Sequence, residues 1–198
     1  MTTRVVLLVK DFDLAKSRLS SVLDAAGRRV AAVDFARTAL DAVGTGALVV
    51  AGSDNAARLA GEAGNEVVLE ERAAGQNPAA ALGIAEAGRR GAEAVLVLSS
   101  DLPLVRPDVI ERLLAHADAL ARPVVVAAPA TGRGGTNALY LAPPDAIGLH
   151  FGDDSLAKFE ADARARGVRF ELYESEELAL DVDEPSDLDA LRVRRRAG

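Results

Sequence analysis

Three stretches, far apart in the chain, hold residue types that could do chemistry: Ser100-Asp101-Leu102-Pro103, Gly135-Thr136-Asn137 and Asp181-Val182-Asp183-Glu184-Pro185. Two of them set carboxylates directly after the apolar runs 95–98 and 178–180. Such runs read as strands, and in an open α/β sheet ligands bind just beyond the carboxyl ends of strands. Alternate residues of an extended chain point to the same side, so Asp181 and Asp183 can face one site with Asp101. Like charges gathered there raise each other's pKa unless a cation neutralises them. Carboxylate oxygens suit Mg2+, which takes one or two of them together with substrate phosphate oxygens. Taken singly, Asp101 could serve a turn and Asp183 could cap a helix starting at Pro185.

Cations come next. Lys10, Lys16 and Arg18 closely follow the first apolar run, in Val9-Lys10-Asp11-Phe12-Asp13-Leu14-Ala15-Lys16-Ser17-Arg18-Leu19. Beyond a strand end they can hold a polyphosphate, arginine forking two oxygens and lysine acting as a point charge. The alternative is a solvated loop whose cations pair with Asp11 and Asp13. The spacing matches no P-loop. Ala74-Gly75-Gln76-Asn77-Pro78 opens a helix, where backbone amides favour an anion or the edge of a base. It also reads as an ordinary start, with Asn77 as N-cap and Pro78 at the first helical position. Phe151-Gly152-Asp153-Asp154-Ser155 begins another helix, again either an anion seat or an aspartate cap. His116 and His150 have no partner at metal-ligand spacing and read as structural.

These residues need a frame to hold them. Strand patterns fall at 4–9, 47–51, 66–69, 94–98, 124–127, 138–141, 168–172 and 178–180. Helical patterns fall at 25–43, 56–63, 78–88, 107–120, 155–166 and 185–194. In 107–120, Val109, Ile110, Leu113, Leu114 and Ala117 form an apolar stripe that faces a sheet. The alternation predicts a three-layer α/β sandwich with a mostly parallel, mixed sheet and right-handed crossovers. Residues 128–141 break the rhythm, passing through Thr131-Gly132-Arg133-Gly134-Gly135 with no helix between strands, so an antiparallel pair is expected there.

The chain of 198 residues fits one domain. Its net charge of −7 disfavours a nucleic acid or an anionic membrane as partner, and 4% aromatic content gives no stacking platform for single strands. Arg192, Arg194, Arg195 and Arg196 read as a solvated tail. There is no cysteine, hence no disulfide framework and no thiolate site. The start of the chain resembles neither a signal peptide nor a membrane span, which predicts a cytoplasmic protein. Oligomeric state stays open, a homodimer included.

Together these motifs resemble the 2-phospholactate or phosphoenolpyruvate guanylyltransferases of coenzyme F420 biosynthesis. The matching segments are Val9-Lys10, Ala15-Lys16-Ser17-Arg18-Leu19, Gly75-Gln76-Asn77, Asp101-Leu102-Pro103, Gly135-Thr136-Asn137-Ala138-Leu139, Phe151-Gly152 with Ser155, and Asp181-Val182-Asp183 with Pro185. The resemblance implies a single nucleotidyltransferase domain of the Rossmann-like, glycosyltransferase-A type. It would move GMP from GTP to the phosphate of a small phosphorylated acid, phosphoenolpyruvate favoured or 2-phospholactate, and release pyrophosphate. By position, Lys10, Lys16 and Arg18 would hold the triphosphate and Gln76 and Asn77 would line the nucleotide pocket. Asp101, Asp181 and Asp183 would bind Mg2+, and Thr136, Gly152 and Ser155 would seat the acceptor's carboxylate. Lys16, Arg18 and Asp101 would carry catalysis.

The chain departs from the family pattern at Asp11, Ser99-Ser100, Glu184 and Asp153-Asp154, the last pair adding negative charge that is expected to point to solvent. Two rivals remain: another nucleotidyltransferase of the same fold, of the molybdopterin or isoprenoid type, and a non-catalytic nucleotide-binding regulator. The molybdopterin enzymes open on a Gly-rich loop that residues 10–19 lack. Asp101→Asn separates catalysis from regulation, with GTP turnover expected to fall by about a hundredfold or more, the loss typical of removing one group that stabilises transition-state charge. Unchanged turnover, followed as pyrophosphate release, would defeat the metal-site reading.

Overall fold

A computed structural model of the chain describes residues 2–72, 74–132 and 134–197. Seven strands form one sheet: β1 Thr3–Val9, β2 Leu48–Ala51, β3 Glu66–Leu69, β4 Ala94–Ser99, β5 Val124–Pro129, β6 Thr136–Ala142 and β7 Arg169–Leu172. Their spatial order is β3-β2-β1-β4-β6-β5-β7. All neighbours pair parallel except β6, which runs antiparallel to both β4 and β5. The expected antiparallel pair therefore lies where the helix-free segment predicted it, although Arg133 in that connection falls outside the described residues.

The central strands β1, β2, β4, β5 and β6 are mostly apolar and buried, with both faces covered as parallel sheets require, while the edge strands β3 and β7 are partly exposed. Leu7, Val9, Leu96 and Leu98 pack toward α1 Ala25–Val43, α2 Asp54–Glu62 and α4 Pro107–Asp118. Their strand neighbours Val6, Leu8, Val95 and Val97 pack toward α3 Gln76–Arg89 and α5 Ser155–Arg166. Each such side chain removed from water contributes roughly 1.5–3 kcal/mol. A third, smaller cluster of Leu19, Phe35, Leu180, Val182 and Leu191 joins a 3-10 turn at Ser17–Ser21, α1 and the closing helix α7 Pro185–Ala197. Among the described residues no helix is long and apolar enough to cross a membrane.

Two readings need correction. Residues 178–180 are not a strand: Glu176–Ala179 is the one-turn helix α6, with Leu178 buried, and an extended but unpaired segment follows. Ser175 starts that turn by accepting from the Leu178 amide, a cap that outweighs the apolar run. Asn77 is not the cap of α3, which begins a residue earlier behind Gly75 at φ 104°. At α7, Asp187 in the first turn reaches back and accepts from the amides of Asp183 and Glu184 at 2.9 and 2.7 Å.

The seating of α3 depends on one absent side chain. A Cβ on Gly83 would lie 2.3 Å from Val6 Cγ1 and 2.8 Å from Val50 Cγ2, whereas one on Gly88 of the same helix meets nothing within 4 Å. Gly83→Ala should therefore cost about 1–3 kcal/mol through overpacking, offset in part by its better helix propensity. Gly88→Ala should be neutral or stabilising by up to about 1 kcal/mol. Thermal unfolding of the two variants measures the contrast, and equal melting temperatures would show that α3 is not clamped on the sheet.

Candidate active site

From β1 the chain continues to β2 and β3 on one side, and β4 takes the other. The carboxyl ends of β1 and β4 thus flank the switch point where open α/β sheets bind ligands. Lys10 leaves β1 there, and Ser100 and Asp101 leave β4. Gly52, just past β2, lets the β1 loop come close: its amide donates to the Val9 carbonyl at 2.8 Å, and a Cβ on it would lie 2.9 Å from the Asp11 nitrogen.

The resulting cleft has two halves, each about 730–750 Å³ with its open mouth. One is mostly apolar, walled by Leu8, Leu14, Val50 and Ala79, with Gln76 and Glu70 among its polar groups. The other is polar, walled by Arg18, Thr136, Asn137, Gly152, Asp181 and Asp183. Lys10, Gln76, Ser99 and Asp101 belong to both and form the shared wall.

Lys16 sits behind that wall. Its ammonium donates to Asp101 Oδ2 at 3.1 Å and Asp183 Oδ1 at 3.2 Å, and lies 5.7 Å from the centre of the Phe35 ring. Its side chain is 5% exposed. Burial disfavours that charge, but the two carboxylates outweigh it and hold the Lys16 pKa above its ordinary value. Burial likewise pushes the Asp101 carboxyl up, while Lys16 and then Lys10 pull it down by more, so it stays below the usual range. Lys16 adopts the left-handed conformation at φ 58°, a strained choice for a side chain with a Cβ. Arg18 is exposed, with its guanidinium 3.9 Å from Asp183 Oδ2.

The second acidic pair is positioned by simple alternation. Leu180 and Val182 point into the small apolar cluster, so Asp181 and Asp183 face the cleft. The Val182 amide donates to the Asp101 carbonyl at 3.3 Å, tying the two acidic segments together. Burial raises the Asp181 pKa, and the nearby charges of Asp101 and Asp183 raise it further. Asn137 Nδ2 donates to the Leu178 carbonyl at 2.8 Å and to Asp181 Oδ1 at 3.4 Å.

Across the cleft, the loop that carries Gly152 is clamped from two sides. Asn77 donates to the Phe151 carbonyl at 3.0 Å and accepts from its amide at 2.8 Å. Asp162 accepts from the Gly148 amide at 2.7 Å and pairs with His150 Nε2 at 2.9 Å. His150, with Arg166 and the Gly148 amide, holds the Asp162 carboxyl down at about 2. His150 also packs on Phe159 and His116 on Tyr173, so both histidines are structural. Ser155 is fully buried and donates to Thr136 Oγ1 at 3.0 Å. Its own amide and that of Leu156 are engaged by the Gly152 and Gly134 carbonyls.

Lys10, Arg18, Gln76, Asp101, Thr136, Gly152, Asp181 and Asp183 therefore line one cleft, as the motifs suggested. Lys16 supports it from behind, Asn77 holds the far loop, and Ser155 reaches it only through the Thr136 hydroxyl. Asp153 and Asp154 are exposed, with Asp153 at the rim of the polar half. Asp154 takes the N-cap position of α5 without a side-chain cap bond. Glu70 and Ser99 were not anticipated: a glutamate ending an edge strand resembles a solvated residue, and Ser99 resembles the end of an apolar run. Among the described residues no group of three acidic or histidine side chains is gathered tightly enough to hold a metal ion. The donor chemistry nonetheless fits a hard divalent cation, because three carboxylates share one wall and Asp181 carries an electrostatic penalty that a cation would relieve.

Comparison with known proteins adds to this geometry. Residues 3–194 match the family described as "Guanylyl transferase CofC like". The chain is 38% identical to the phosphoenolpyruvate guanylyltransferase of Conexibacter woesei, covering 100% of this chain and 92% of that protein. It is 35% identical to the 3-phospho-D-glycerate guanylyltransferase of Phenylobacterium zucineum, covering 91% and 84%. Its fold matches a nucleotidyl transferase from Methanothermobacter thermautotrophicus with a TM-score of 0.69 at 17% identity, over 100% of this chain and 99% of that one.

The buried Lys16 makes its own prediction. Lys16→Met strands Asp101 and Asp183, and removing one partner from a buried pair costs about 3–5 kcal/mol. The Asp101 contribution is complete above the ordinary aspartate pKa and is lost as pH falls through its lowered value. The Lys16 contribution is complete below the ordinary lysine pKa and is lost as pH rises through its raised value. The gap between wild type and variant should thus be widest between about pH 4 and pH 10 and close toward acid. Urea unfolding across that range, in chelator, measures it, and a gap independent of pH would contradict the pairing.

Proposed function

The chain belongs to the family of CofC-like guanylyl transferases, and we propose that it transfers GMP from GTP to the phosphate of phosphoenolpyruvate with release of pyrophosphate. The observation that carries this reading is the two-part cleft: an apolar half sized for a base and a polar half for a small acid, meeting at Lys10 and Asp101. Transfer needs the acceptor and the α-phosphorus brought together at that shared wall.

The acceptor phosphate is the nucleophile. Its second pKa is near 6, so at neutral pH it is largely dianionic and no protein base has to take a proton. One of its oxygens bonds to the α-phosphorus, the bond to the bridging oxygen of the β-phosphate breaks, and the electron pair leaves with pyrophosphate. The obstacle is repulsion between two polyanions, so catalysis rests on positioning and charge. Lys10 and Arg18 supply exposed cations toward the triphosphate, and Lys16 pairs with Asp101 and Asp183 behind it and keeps Asp101 ionised. Asp101, Asp181 and Asp183 would hold Mg2+, whose chemistry is to shield and align the phosphate oxygens.

On the acceptor side the Ser155 and Thr136 hydroxyls are hydrogen-bonded at 3.0 Å, which holds the Thr136 hydroxyl at the wall of the polar half as a contact for the acceptor's carboxylate. The amide-rich approach through Gly135 and the Gly152 loop completes that seat. Relatives named for phosphoenolpyruvate, 3-phospho-D-glycerate and 2-phospho-L-lactate mark the range of acids the family takes. The product would serve coenzyme F420 biosynthesis, the pathway the resemblance implies.

The test is direct. The protein is incubated with GTP, Mg2+ and each of the three acids in turn, and pyrophosphate is followed. Release should be fastest with phosphoenolpyruvate, by roughly tenfold or more in kcat/KM, the scale of a small difference in pocket fit. No release with any of the three acids would overturn the assignment, and chelation of divalent cations should abolish release where it occurs.

A further inference from the structure

Glu70 follows β3 and lines the apolar half, and it does not line the polar half. Its amide donates to the Ala51 carbonyl at 2.9 Å, fixing the residue to the end of β2. Its Oε2 lies 3.4 Å from where a Cβ on Gly52 would stand, so the carboxylate lies against the glycine floor. The other acidic groups of this half are engaged elsewhere. Asp11 accepts from the Asp13 amide at 3.0 Å, and Asp101 pairs with Lys16. Glu70 accepts from the Ala74 amide, and among the described residues no cation pairs with it. Burial raises its pKa, the mark of a carboxylate facing an apolar space without full compensation.

The half that Glu70 lines is the one assigned above to the base. A carboxylate only accepts hydrogen bonds, through two oxygens side by side. Guanine alone among the common bases matches it with adjacent donors, N1–H and N2–H2. Adenine and cytosine offer an amino group beside a bare ring nitrogen, which a carboxylate repels. Uracil flanks its N3–H with carbonyls. We propose that Glu70 reads the Watson–Crick edge of guanine and sets the preference for guanosine nucleotides. This inference rests on the guanylyl-transfer reading above.

The experiment compares wild type, Glu70→Ala and Glu70→Gln by kcat/KM for GTP, ITP and ATP with one acceptor acid, and adds 2′-deoxy-GTP. ITP lacks only the 2-amino group. Wild type should prefer GTP over ITP by about ten- to a hundredfold, the value of a hydrogen bond to a charged group. Glu70→Ala should collapse that ratio toward unity and Glu70→Gln, which keeps one acceptor oxygen but turns a donor toward N1–H, should lower it, with folding checked by thermal unfolding. An equal loss for all nucleotides would overturn the proposal. So would a change confined to GTP against its 2′-deoxy analogue, which would assign Glu70 to the ribose. If wild type turned over no nucleotide, guanylyl transfer itself would fail. Calorimetric binding of GDP against IDP would then judge Glu70 alone, with tighter GDP binding supporting it and equal affinities overturning it.

Discussion

One ammonium group joins three segments that are far apart in the chain. Lys16 comes from the loop after β1, Asp101 from the loop after β4 and Asp183 from the strand-like stretch before α7. Burying a lysine and two aspartates is costly unless they neutralise each other, so the three segments are held to one arrangement. The apolar cluster of Leu19, Phe35, Leu180, Val182 and Leu191 forms around them, and Phe35 gives the ammonium an aromatic face. The left-handed backbone at Lys16 is tolerated because these partners over-determine it. The cleft takes its shape from that knot.

Electrostatics then divide the two kinds of carboxylate. Asp101 is ionised against a fixed internal cation, whereas Asp181 has burial and its acidic neighbours against it. The raised Asp181 pKa marks a stability cost that the proposed divalent cation would relieve, a common trade in active sites.

Much of this was legible in the chain. The alternation of β-branched runs with amphipathic helices located seven of the strands and six of the helices, since both signals are local and periodic. Asp101 and the Asp181/Asp183 pair were legible because carboxylates directly after apolar runs are unusual. What local pattern could not show was competition. Leu178 heads an apolar run, yet the Ser175 cap turns it into a helix. Asn77 has the chemistry of a cap, but two bonds to Phe151 across the cleft claim its amide. Glu70 was missed for another reason: only the close approach permitted by Gly52 shows that the end of an edge strand faces the cleft.

The direction of β6 has a consequence of its own. Because it runs against β4, its amino end, with Thr136 and Asn137, meets the carboxyl ends of β1 and β4. The wall proposed for the acceptor is thus built from Ala130, Gly135 and Thr136 around the start of β6 and from the clamped loop that carries Gly152 and Asp153, none of which lines the apolar half. Neither Thr136 nor Gly152 belongs to the buried pairing of Lys16 with Asp101 and Asp183. The two walls of the cleft are thus carried by different segments of the chain, one fixed by a buried charge and the other by the turn of a strand.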